Sequence, residues 1–116
     1  MSQTLQEWGE ADYRKTIQQS FDRIQDAFDG VDPDVAECEQ QLGALSILFA
    51  DGTKCILSAQ PSVRQLWLAI ASKGTAFHFN YDAPSNRWID DKGRGVELHT
   101  CLKKHIHETT GLELGI

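Results

Sequence analysis

The chain has 116 residues, enough to bury a core of its own without disulfides or structural metal, and too few for two ordinary domains. Hydrophobic residues make up 41% and the net charge is −6, which fits a globular protein and excludes a disordered tail. Ten acidic and three basic side chains fall in the first forty residues, a balance of −7 that leaves +1 for the other seventy-six. A nucleic-acid binder needs a concentrated basic surface, so cations and basic protein surfaces are the expected partners.

The opening segment Met1–Trp8 lacks both the basic start and the apolar core of a signal peptide, and it is too acidic for a transit sequence. The longest apolar run, Leu66–Ala71, falls far short of the roughly 20 residues that span a bilayer. Cys38, Cys55 and Cys101 are odd in number and widely spaced, with no C-x-x-C pair, which suits reduced thiols. A cytoplasmic protein with no membrane association is expected.

Tyr13, Ile17, Phe21, Ile24 and Phe28 recur at helical spacing and predict an amphipathic helix that Gly30 and Pro33 end. On a helical wheel, Asp22, Asp26 and Asp29 form a second stripe along one flank. From Ala36 to Asp91 the period changes to two. Strands are predicted over 36–40, 45–49, 53–60, 64–72, 75–81 and 87–91, with Asp51-Gly52, Pro61-Ser62, Lys73-Gly74 and Ala83–Asn86 as turns. Helical spacing returns over Val96–Thr110, with Gly111 as its cap. The expectation is one α+β domain over residues 1–116: an antiparallel meander of about six strands with both helices on one face.

Alternation sends Leu66, Leu68, Ile70, Phe77, Phe79 and Tyr81 toward the helices. The other face then carries Ser58, Gln60, Gln65, Trp67, His78 and Asn80, a flat polar surface around a large aromatic and a candidate docking face.

Several segments resemble the frataxin family. Cys38–Ile47 resembles its first hairpin, and Asp51–Leu57 its second turn and third strand. Gln60-Pro61-Ser62-Val63-Arg64-Gln65-Leu66-Trp67-Leu68-Ala69 resembles its most characteristic segment. Phe77–Asn80 with Trp88-Ile89 resembles the bacterial version of strands five and six, and Gly95–His99 the start of the second helix. Ser58-Ala59 stands where the family usually has Asn-Lys or Asn-Arg, so a basic contact on the sheet face is lost, and Pro61 lies one position early. The resemblance, closest to the bacterial branch, implies an α-β-α sandwich. It also implies a non-enzymatic role in iron–sulfur cluster assembly, with weak, exchangeable binding of ferrous or ferric iron on an acidic ridge. The implied partners are a cysteine desulfurase and the scaffold protein; a monomer is expected, with iron-dependent oligomers as a second state.

Asp22, Asp26 and Asp29, then Asp32 and Asp34 in the following loop, then Glu37 and Glu39 on one side of the first strand are the candidate cation and basic-partner residues. If that strand is the sheet edge beside the helix, they form a single negative band. Carboxylates are hard ligands suited to iron, manganese, calcium or magnesium, and an exposed row holds such ions weakly. Gln60, Gln65 and Trp67 are the candidate docking residues. Cys101 and His105 are spaced for a two-ligand contact but lie on a core-facing stripe, where a packed cysteine beside a satisfied histidine is expected. The alternatives are a carboxylate-metal enzyme (ferroxidase or hydrolase), which needs ligands converging in a cleft, and a metal-independent adaptor.

Overall fold

A computed structural model describes residues 8–116; the segment 1–7, expected above to carry no leader, lies outside the described residues. Helix α1 (Glu10–Ala27) is followed by strands β1 (Ala36–Gln41), β2 (Ala44–Phe49), β3 (Lys54–Gln60), β4 (Gln65–Ile70), β5 (Thr75–Asp82) and β6 (Arg87–Asp90), and then by helix α2 (Leu98–Thr110). The strands form one antiparallel sheet in chain order.

The apolar stripe of α1 is the buried one: Tyr13, Ile17, Phe21, Ile24 and Phe28 all lie in the core. Asp12 starts the helix by accepting from the Gly9 N–H at 3.0 Å, placing a negative charge where the helix dipole favours it. On the sheet, Leu45, Ile47, Phe49, Cys55, Leu57, Leu66, Leu68, Ile70, Phe79 and Trp88 form one cluster with α1 and with Leu98, Leu102 and Ile106 of α2. Both helices thus cover the same face.

The predicted turns follow their chemistry. Asp51 Oδ1 accepts from the Thr53 N–H and hydroxyl at 2.9 and 2.6 Å, and Gly52 takes the left-handed backbone, φ +87°, that the turn requires. β4 is shorter than the apolar run predicts. Arg64 turns left-handed at φ 52° after the 3-10 turn Pro61–Val63, and Ala71–Lys73 forms another such turn. α2 starts at Leu98 instead of Val96 because the Glu97 carboxylate caps the helix, accepting from the His99 and Thr100 N–H groups at 2.9 and 3.0 Å.

The two edges of the sheet differ. β6 is covered by the segment leading to α2: the Asp90 N–H donates to the Val96 carbonyl at 2.9 Å, and Ile89 bridges to Glu97. Among the described residues β1 has no strand on its outer side and only the flank of α1 beside it.

Candidate functional site

The β1 edge brings the sequence-selected carboxylates together. Gln25 Nε2 donates to the Cys38 carbonyl at 3.1 Å, and Asp22 Oδ1 accepts from Gln18 Nε2 at 2.8 Å and from Gln40 Nε2 at 3.3 Å. One flank of α1 is therefore tied to β1, with Asp22 and Asp26 exposed along the helix; Asp29, expected on the same stripe, is exposed in the turn that follows, because α1 ends at Ala27. Asp32 and Asp34 stand exposed in the connecting loop, where Asp32 Oδ1 accepts from the Asp34 N–H at 2.9 Å.

Glu37 and Glu39 share one side of β1, but it is the side turned away from α1. Ala36, Cys38 and Gln40 face the helix, while Glu37, Glu39 and Gln41 are exposed on the open face. The carboxylates stand in two rows bracketing the strand instead of one band, because the pleat alternates side chains across the sheet. Among the described residues none of the seven lies within ion-pair distance of a basic side chain. Nor do any three His, Cys, Asp or Glu side chains converge so as to hold a metal ion. Exposed carboxylates so arranged offer negative charge without a closed shell of ligands.

On the open face, cross-strand register aligns Ser58, Trp67 and His78. Trp67 Nε1 donates to Gln65 Oε1 at 2.8 Å, and Gln65 Nε2 donates to Asn80 Oδ1 and Asp91 Oδ2, each at 3.1 Å. Gln65 therefore fixes the indole edge by its amide oxygen and ties down two neighbours by its nitrogen. Asp91, absent from the sequence-derived set, also lies 3.8 Å from His78 Nδ1; continuing the period of two past Ile89 would have placed it here. Leu48 remains 47% exposed and adds apolar surface near Glu37, its register partner.

Tyr13 holds the corner between β3 and β4. Its buried hydroxyl donates to the Gln65 carbonyl at 2.6 Å and accepts from the Gln60 N–H at 2.9 Å. Burial raises the phenol above the ordinary tyrosine range, opposed in part by the Gln60 bond. The core helix thereby positions two of the three docking candidates from behind the sheet.

The histidines of α2 depart from expectation in one respect. His105 is buried edge-on to Phe49 at 5.6 Å, beside a half-buried Cys101; its Nε2 lies 3.5 Å from Thr109 Oγ1, while its Nδ1 has no protein hydrogen-bond partner, so the ring is satisfied at one nitrogen only. Helical spacing supplies a polar neighbour at i+4 for one ring nitrogen and none for the other. Burial pushes the Cys38 and Cys55 thiols up to about 11 and about 12, removing them from thiolate chemistry at neutral pH.

Comparison with known proteins agrees with this architecture. The frataxin-like domain matches residues 6–112. The chain is 36% identical over 104 residues to the iron–sulfur cluster assembly protein CyaY of Pseudomonas fluorescens, covering 90% of this chain and 91% of that one. It is 40% identical over 105 residues to CyaY of Azotobacter vinelandii, covering 90% and 92%. The frataxin of Psychromonas ingrahamii superposes with a TM-score of 0.81 at 23% identity, over 91% of this chain and 95% of that one. Trimeric yeast frataxin complexed with ferrous iron gives 0.61 at 19% identity, over 89% and 86%. The curated relatives are named for assembly and not for a catalysed reaction. With a domain match across nearly its whole length, relatives of this identity and the six-stranded meander under two helices, the chain belongs to the frataxin-like family, on its bacterial side.

Proposed function

We propose that this protein handles iron for iron–sulfur cluster assembly in the cytoplasm, as a non-enzymatic regulator. Asp22, Asp26, Asp29, Asp32, Asp34, Glu37 and Glu39 attract ferrous or ferric iron weakly and exchangeably, and offer the same charge to a basic partner surface. Gln60, Gln65 and Trp67 form the contact on which a cysteine desulfurase and the scaffold protein dock. The working state is a monomer, with iron-driven oligomers as a second state.

The observation that carries this reading is the set of seven exposed carboxylates around β1 with no basic side chain among the described residues paired to any of them. Like charges one helical turn apart cost about 0.2–0.5 kcal/mol a pair, so their accumulation favours a ligand of opposite sign. The names of the curated relatives support the pathway. Capture of a cysteine desulfurase, with and without ferrous iron, tests it: the wild-type chain retains the enzyme and D22N/D26N/D29N loses it. Equal capture by both removes the carboxylates from the proposed site. A metal-independent adaptor is the second reading, favoured by the preorganised Trp67 face and the lack of converging ligands; it requires capture indifferent to iron.

A further inference from the structure

The open edge of β1 has a defined hydrogen-bonding pattern. The Ala50 N–H donates to the Val35 carbonyl at 3.2 Å, so positions 35 and 50 form a bonded pair, and such pairs recur at every second residue of an antiparallel ladder. In the β1–β2 register Glu37, Glu39 and Gln41 therefore bond to β2, while Ala36, Cys38 and Gln40 turn their backbone groups outward. The Ala36 N–H is taken by the Asp32 carbonyl at 3.2 Å, and the Cys38 carbonyl by Gln25 Nε2. Among the described residues the Cys38 and Gln40 N–H groups and the Gln40 carbonyl have no partner, while Ala36 is buried and lies outside the accessible stretch.

An edge of this kind is a template for another strand, and charge decides which strand fits. A second copy paired antiparallel about Cys38 would set Glu37 of one chain against Glu39 of the other, and like charges directly opposite are disfavoured. A strand laid along β1 points its side chains alternately to the two faces. Both faces are acidic here: Glu37 and Glu39 on one, and Asp22, with Asp26 one turn further along α1, on the other. The geometry points to strand addition at β1 by an extended partner segment bearing consecutive Lys or Arg residues. Successive side chains of such a segment are directed alternately toward Glu37 and Glu39 on one face and toward the Asp22 side on the other, while its backbone meets the open Cys38 and Gln40 amides. Gln25 is the movable cover, since an incoming N–H takes the place of its amide on the Cys38 carbonyl. The inference rests on the basic-partner reading above and adds backbone pairing to it.

Hexa-arginine and its fully backbone-N-methylated counterpart carry the same charge, but only the first can donate ladder hydrogen bonds. Titrated at low salt, hexa-arginine binds at least about tenfold more tightly than the methylated peptide. At saturation it slows hydrogen exchange of the Cys38 and Gln40 amides at least about tenfold. Q25A binds as tightly as wild type or better. Equal affinities with unchanged exchange at those two amides overturn strand addition and leave the acidic-surface reading standing. Failure of both peptides to bind overturns the two together.

Discussion

Trp67 and His78 lie face to face across the β4–β5 ladder, ring centroids 4.2 Å apart and planes inclined by 19°. They are direct register partners on the uncovered face of the sheet. An aromatic pair contributes about 0.5–1.5 kcal/mol beyond its buried area, so Trp67→Ala lowers the thermal midpoint modestly and leaves the fold intact. Capture of the assembly partners falls at least about tenfold. Undiminished capture by a folded W67A chain removes Trp67 from the docking surface.

Tyr13→Phe deletes one hydroxyl and two hydrogen bonds, to the Gln65 carbonyl and from the Gln60 N–H. An unsatisfied buried polar group costs about 1–3 kcal/mol, the loss expected in urea unfolding. Partner affinity falls as well, because the corner carrying Gln60 and Gln65 is released. Wild-type stability for Y13F would show that water replaces the hydroxyl.

D22N/D26N/D29N separates binding from folding. Removing the helix-flank charges relieves repulsion, and the amide oxygen introduced at position 22 still accepts from Gln18 and Gln40, the present partners of Asp22. Stability rises by a few tenths of a kcal/mol, roughly 0.2–0.5 per repelling pair, while ferrous affinity falls. Calorimetric unfolding and iron titration on one preparation check both; an unchanged iron titration excludes the helix flank from iron binding.

His99 and His105 make stability depend on mild acid. Burial lowers both imidazoles below 6.5; Glu97, 2.9 Å from His99 Nδ1, opposes this for His99, and Lys73 reinforces it for His105. A base with a lowered folded value binds protons more readily when unfolded. The neutral forms therefore contribute fully above about pH 6.5, and that contribution is lost as pH falls through the folded values. The thermal midpoint drops between about pH 7.5 and about pH 5.5. His99→Asn, whose amide can still donate to Glu97, combined with His105→Phe flattens the dependence. An equally steep profile in the double variant assigns it to other groups.

Alkylation reads the half-buried Cys38 and the buried Cys55. With Cys38 and Cys55 raised to about 11 and about 12, the native chain consumes iodoacetamide at pH 7.5 at least about tenfold more slowly at these positions than the unfolded chain does. Peptide mass mapping resolves each cysteine. Equal rates would mean that β1 and β3 open freely.

Strongly periodic segments were legible in the sequence. The α1 stripe is buried at all five of its positions, and the six strands fall where alternation and turn chemistry put them. Boundaries set by backbone conformation were not: nothing in Arg64 announces a left-handed residue, a conformation uncommon outside glycine. The docking candidates share one face, as alternation requires, but the division of the acidic residues was hidden. Alternation tells which residues share a side; it names that side only when one set is clearly apolar. In β1 the inward set is Ala36, Cys38 and Gln40, too weak a signal against Glu37, Glu39 and Gln41. Asp91 follows Ile89 onto the open face by the same period of two, but its hydrogen bond to Gln65 is a contact between strands that no single strand's pattern contains.

The neighbour-to-neighbour order of the strands has a kinetic consequence. Each ladder closes only a short loop, so the sheet can form hairpin by hairpin at little entropic cost. The helices are different: Tyr13 reaches Gln65 across 52 residues and Ser20 reaches Trp88 across 68. Loop closure therefore favours a sheet that forms first, with helix docking expected after the rate-limiting step, so that the open face takes shape before the acidic flank of α1 is laid beside it. Destabilising changes in the β3–β4 hairpin slow folding, whereas changes on α1 chiefly speed unfolding.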